Sequence, residues 1–165
     1  MALSYPKLLL PDAEETIAFR AVDSILRTDP TLKRILRDYN AWTGDPSDIA
    51  APVPSTCPNL QIAPKPSSSK WETEGMHAMP FTVAITAAVN GSNCDQLMNL
   101  WGAVRRALWP SDAVRALAVR TIVVNAGITK PTMLMNAFGV QIQKDGARVL
   151  MAQGSLNLYL LVNTP

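Results

Sequence analysis

Charge, aromatic side chains and metal-binding chemistry are all scarce in this chain. Charged residues make up 17% of its 165 residues and aromatics 6%. The charged share is below the roughly 25% of an ordinary globular protein, so apolar surface is left over for contact with other proteins. The net charge of +2 excludes a strong field drawing the chain to nucleic acid or a membrane surface. There is one histidine, His77, and there are two cysteines, Cys57 and Cys94. Two cysteines build no disulfide framework and match no metal spacing; free thiols in a reducing cytoplasm are expected. Nothing approaches the ~20 apolar residues of a membrane span. Leu8-Leu9-Leu10 stops at Pro11-Asp12 and is too short for a signal-peptide core. Gly75, Gly91, Gly102 and Gly127 form neither a dinucleotide fingerprint nor a phosphate loop.

What is present is periodicity. The length suits a single domain over 1–165. Residues 1–11 read as an extended arm. A first helix is predicted from Asp12 to Arg27 or Thr28, with Asp12 and Glu15 as a capping box and Ala18, Val22, Ile25 and Leu26 on one face. Asp29-Pro30 restarts a second helix, with Leu32, Ile35, Leu36 and Tyr39 at helical spacing.

Residues 40–78 differ from their surroundings. Six of the thirteen prolines lie between Pro46 and Pro66, and only Leu60–Ala63 reads as a short strand. A long structureless insertion in a compact domain is commonly functional. Trp42 and Trp71 lie within it, and tryptophan is a frequent interface anchor. An inter-subunit role is expected for the whole insertion.

Phe81 to Val89 alternates as a central strand. Asn90-Gly91-Ser92 closes it and is expected to cap the next helix. Leu97, Leu100, Trp101, Val104 and Leu108 mark that helix, which Pro110 ends. Val114 to Val119 reads as a short helix at most, Arg120 to Val124 as a strand, and Asn125 to Met135 as a connection. From Phe138 a terminal hairpin is predicted. It turns at Lys144-Asp145-Gly146 and places Leu156, Leu158, Leu160 and Val162 on one face. The fold class is therefore α+β, a mainly antiparallel sheet with helices packed on one face.

No catalytic constellation is visible. His77 has no metal-ligand partner at a recognised spacing and reads as structural. Cys94, near a helix N-terminus, could pair with His77 as a nucleophile, yet matches no nucleophile signature. Asp45, Asp48, Glu72 and Glu74 in or beside the insertion show no pairing. Met133, Met135 and Met151 read as core. Lys33, Arg34 and Arg37, and later Arg105, Arg106, Arg115 and Arg120, concentrate positive charge. In a nearly neutral chain they read as solvated helix faces or inter-subunit salt bridges rather than phosphate contacts.

The order of these elements resembles the tail terminator (tail-completion) and neck proteins of long-tailed bacteriophages. The segments that carry the resemblance are Asp12-Ala13-Glu14-Glu15-Thr16 through Asp29-Pro30-Thr31-Leu32, then Pro52-Val53-Pro54 and Asn59-Leu60-Gln61-Ile62. They continue with the strand Pro80-Phe81-Thr82-Val83-Ala84-Ile85, the helix Cys94-Asp95-Gln96-Leu97 to Ala107-Leu108, and the closing Leu156-Asn157-Leu158-Tyr159-Leu160. The resemblance implies a structural virion protein with no catalytic residue, no metal and no cofactor. It implies a homo-oligomeric ring, a hexamer, stacked on the tail tube protein and meeting the head–tail connector, with DNA passing through the lumen without sequence-specific binding and no membrane partner. Synthesis would be in the host cytoplasm and the final location the virion. Trp42, Trp71, Arg105 and Arg106 are the expected interface residues. The alternatives are another head–tail connector or minor tail protein, a small Cys/His hydrolase, and a nucleic-acid-binding accessory protein.

Overall fold

The computed structural model describes residues 12–42, 51–65, 77–91 and 93–162. The expected arm at 1–11 lies outside the described residues, as do Asp45, Asp48, Trp71, Glu72 and Glu74.

Helix α1 (Glu14–Thr28) buries Ala18, Val22, Ile25 and Leu26 as their spacing requires. Its predicted capping box does not form: Ala13 holds the N-cap position without a side-chain bond. Asp12 stands one residue too early, and its carboxylate accepts from Arg20 Nη1 at 2.6 Å instead, a charge-assisted partner less than three turns along. Helix α2 (Pro30–Ile35) begins as expected. The Asp29 carboxylate accepts from the N–H groups of Thr31 and Leu32 at 3.0 and 2.9 Å. It ends before Tyr39, however. Leu36 is already extended, and Asp38–Ala41 forms strand β1. As a strand residue Tyr39 keeps its ring on the helical side, and its hydroxyl reaches Asp23 of α1 at 2.7 Å.

The short strand expected at Leu60–Ala63 of the insertion is present and longer. Strand β2 (Asn59–Lys65) runs parallel to β1 and antiparallel to β3 (His77–Asn90), so it is an interior strand. Leu60 and Ile62 are buried on its inner face. Pro64 is tolerated because β1 ends opposite Ile62, leaving the rest of β2 as a local edge. The expected strand Phe81–Val89 lies within β3.

Helix α3 (Cys94–Leu108) is capped by Asn93, not by residues 90–92; Asn93 Oδ1 accepts from the Asp95 N–H at 2.9 Å. The predicted strand at Arg120–Val124 is instead part of helix α4 (Ala113–Asn125), started by Asp112, which accepts from the Arg115 N–H at 2.7 Å. Val119 is buried, and Ile122, Val123 and Ala126 pack against the core. These four positions follow helical spacing and outweigh the β-branched composition. Gly127, at φ +71°, ends the helix in the left-handed region.

What was expected as a connection up to Met135 is the first half of strand β4 (Ile128–Ile142), which pairs antiparallel with β5 (Arg148–Val162). The hairpin is therefore longer than predicted, with its turn where Asp145-Gly146 puts it. Pro131 lies inside one register shift, between Thr129 and Thr132, and a second shift falls between Met135 and Ala137. β4 is an edge strand, where bulges and proline are allowed.

The sheet has five strands in the order β1-β2-β3-β5-β4, antiparallel except for the β1–β2 pair. Helices α1 and α3 pack on β5, and α3 also on β3, while α4 packs on β4 and on α1. All four helices thus form a layer on one face of the sheet. Phe81, Val83, Ile85, Leu156, Leu158 and Leu160 form the sheet side of that core. The other face carries Thr82, Ala84 and Thr86, with Thr82 Oγ1 donating to Asn157 Oδ1 at 3.1 Å. At one end of that face Cys57, Ala88 and Val149 make a small second cluster with Met151.

Candidate functional site

The Cys94–His77 pair fails on distance. His77 opens β3, while Cys94 follows the far end of that strand. Thirteen residues of strand separate His77 from Asn90, about 43 Å at ~3.3 Å per residue, so no Cys94–His77 dyad can form. Cys57 is buried, and desolvation raises its thiol pKa. Its contact with Ala88 puts it some eleven residues along β3 from His77. Among the described residues no group of three His, Cys, Asp or Glu side chains could hold a metal ion.

The expected interface residues are not gathered into one place. Trp42 is half-buried just beyond β1, its N–H donating to the Ile62 carbonyl at 2.8 Å. Its side chain lines a groove of about 310 Å³ with Phe19, Phe81 and Pro64, edged by Glu15 and Arg20. Arg105 and Arg106 are exposed in the last turns of α3 and do not line that groove. The Arg106 guanidinium folds back over Gly102, where a Cβ would stand 3.4 Å from Nη1. Arg115 is committed internally: Nη2 donates to the Ile25 carbonyl at 3.0 Å and to Thr28 Oγ1 at 3.2 Å. That bond caps the C-terminal end of α1, where a cation is favourable. Met133, Met135 and Met151 are partly buried against the two clusters.

A second pocket, of about 250 Å³, opens where α1, α2 and β1 meet. Leu26, Leu32 and Leu36 form its apolar side, and Arg27, Lys33 and Arg37 bring three cations to it. Asp23 accepts from both Tyr39 and Arg27, the latter at 3.1 Å, and the Arg27 guanidinium lies 4.9 Å from the Tyr39 ring centre. Burial, and then the hydrogen bond to Asp23 with its charge, hold the Tyr39 phenol in its neutral form well above the usual tyrosine range. Asp38 is occupied by the amides of Asn40 and Asn59. Among the described residues neither Lys33 nor Arg37 meets a carboxylate. The only sequence signals for this pocket were the Asp23–Arg27 spacing and the run Lys33-Arg34; nothing local revealed that β1 would close it.

Two apolar rows are exposed to solvent. Val114, Leu117 and Val124 lie on the outer side of α4, with Leu117 67% exposed. Phe138, Val140 and Ile142 alternate along the distal half of β4, with Ile142 also 67% exposed. No charged residue occurs from Pro131 to Gln143, and beyond the second register shift the pairing of β4 with β5 is regular.

No protein-family model matches the chain, and no curated protein matches it. Among solved structures, the chain is similar to one in the virion of the native gene transfer agent (GTA) particle. The identity is 12% and the TM-score 0.37, with 86% of this chain and 93% of that chain covered.

Proposed function

We propose that the chain is a structural virion protein that assembles into a homo-oligomeric ring, capping the tail tube and joining it to the head or neck. The observation that carries this reading is the pair of exposed apolar rows on α4 and distal β4. A chain with 17% charged residues leaves these rows in water unless another subunit covers them. The order of elements fits the tail terminator resemblance, and the separation of His77 from both cysteines speaks against a hydrolase. The neighbours in this reading are further copies of the chain, the tail tube protein and the head–tail connector.

The test is a native mass spectrum across a concentration series, followed by electron microscopy of the largest species. The expected result is a closed ring, with six subunits as the first expectation. A chain that stays monomeric up to its solubility limit, alone and mixed with purified tail tubes, overturns the reading.

A further inference from the structure

The apolar rows of α4 and distal β4 are both exposed within one chain, so neither covers the other there. α4 already spends its opposite side, Val119, Ile122 and Val123, on its own core. Its exposed row is suited to a dry contact. Val114, Leu117, Thr121 and Val124 recur at steps of three, four and three residues, the narrow stripe of a helix that packs on one further partner. Thr121 is the polar member, and its hydroxyl already donates to the Leu117 carbonyl at 2.8 Å. Covering the row therefore strands no hydroxyl.

Distal β4 offers a seat of matching size. Phe138, Val140 and Ile142 pair with Ala152, Leu150 and Arg148 of β5. Within the chain the core reaches along β4 only to Met133 and Met135, so the place of one helix over the distal half is open. Val114 to Val124 spans about 15 Å at ~1.5 Å per residue. Phe138 to Ile142 spans about 13 Å at ~3.3 Å per residue. Charge gives the direction. Arg148 stands opposite Ile142 at one end of the seat. Asp112 caps α4 two residues before Val114, and α4 itself holds no carboxylate. Among the described residues neither Asp112 nor Arg148 has an ion-pair partner. Laying Val114 at Ile142 and Val124 at Phe138 brings the two charges together.

We infer that the α4 row of one copy of this chain seats on the distal β4 row of the next, with Asp112 beside Arg148. The inference rests on the self-assembly reading above and names its contact. Helix and seat are different surfaces, so the interface is heterologous and closes into a ring when the rotation allows. The six apolar side chains offer roughly 100 Å² each, about 600 Å² for one contact with both partners counted. That is about half of the ~1,200 Å² at which stable pairs begin. A pair alone is therefore weak, whereas each subunit of a closed ring is held by two such contacts. Rings should appear with few free dimers.

The test is pairwise cross-linking in the full chain, after the exposed native thiol is removed by Cys94→Ser. A chain carrying Leu117→Cys is mixed with one carrying Val140→Cys and treated with a short bismaleimide. The mixture should give a cross-linked dimer. A chain carrying both changes should give a ladder that ends at the ring size, and either single-cysteine chain alone should stay uncross-linked. In sedimentation velocity, Leu117→Glu and Val140→Glu should each raise the concentration for half-association about tenfold or more, and Arg148→Glu about threefold, as for central and rim positions of an interface.

A wild-type chain that forms rings while the mixture gives no cross-link, or while both Glu variants associate normally, overturns the inference and leaves the ring reading standing. Cross-linking of either single-cysteine chain by itself overturns it in favour of a two-fold contact, helix on helix or strand on strand. Unchanged association of the Arg148→Glu chain overturns the direction given to the contact. A wild-type chain that stays monomeric to its solubility limit, alone and with tail tubes, overturns the ring reading and this contact with it.

Discussion

Helices α3 and α4 differ by only two residues in length, each is capped by an Asn or Asp side chain, and both pack on α1 and on the sheet. α3 buries Leu97, Leu100, Trp101 and Val104 among others and leaves an outer side that is polar apart from Met98. α4 fully buries only Val119, leans on the core with Ile122 and Val123, and shows Val114, Leu117 and Val124 to the outside. One helix is finished within the monomer. The other has a second apolar side that the described residues leave uncovered. The difference places the buried apolar side chains at α3 and the exposed ones at α4 and distal β4, which on the proposed reading are the surface for association.

If that division holds, the largest loss follows from a cavity under α3. Leu97 is fully buried, and Leu97→Ala should lower unfolding free energy by about 3 kcal/mol, within the range for buried leucines. Urea denaturation measures it as a shifted midpoint at constant slope. A change below about 1 kcal/mol would mean that α3 is not the centre of the core.

The next effect is at the contact between α3 and the sheet. Gly154 lies under the Trp101 ring: a Cβ there would come within 2.6 and 2.9 Å of two ring carbons and would also collide with the Leu134 carbonyl. The indole and a backbone carbonyl of β4 cannot both retreat, so Gly154→Ala should cost about 2 kcal/mol by overpacking. Trp101→Phe in the same chain should recover part of this, since a smaller ring frees one of the two obstacles. No recovery would place the clash at Leu134 alone.

A smaller effect tests the polar tie between α4 and α1. Arg115→Leu removes the donors to Ile25 and Thr28 and should cost about 1 to 2 kcal/mol, the scale of a hydrogen bond from a charged group. Hydrogen exchange should rise at the C-terminal turn of α1 and along α4, with β3 unaffected. Faster exchange along β3 as well would show α4 to be part of the same cooperative unit as the central strands.

The same contrast explains what could be read from the sequence. α3 was legible because its apolar positions fall on one side, and β3 because its inward side chains alternate without interruption. α4 was misread because Val114, Leu117 and Val124 add a second apolar side to Val119, Ile122 and Val123. The resulting run has no single periodicity and looks like a buried strand. β4 was half missed for a related reason. Its register shifts move the positions on the helix-bearing face from Ile128 to Met133 and Met135, and then to Phe138, Val140 and Ile142, which are exposed there, so no single alternation spans the strand. Of the candidate surfaces, the exposed rows were legible only as a shortage of charge. The basic pocket depended on β1 pairing with β2 across residues distant in sequence, which no local pattern encodes.

The smallest effect on the monomer is the most informative about α4. Leu117 is 67% exposed, and Leu117→Gln preserves helix propensity, because the two residues rank together as helix formers. In dilute protein the unfolding free energy should move by no more than about 0.5 kcal/mol, as for an ordinary surface substitution. At concentrations where the wild-type chain associates, the same change should weaken association, because it puts an amide where an apolar contact was to be buried. Denaturation at low concentration and sedimentation at high concentration separate the two outcomes. A loss above about 1 kcal/mol in the dilute monomer would mean that Leu117 is packed within its own chain, and the two helices would then differ in pattern but not in role.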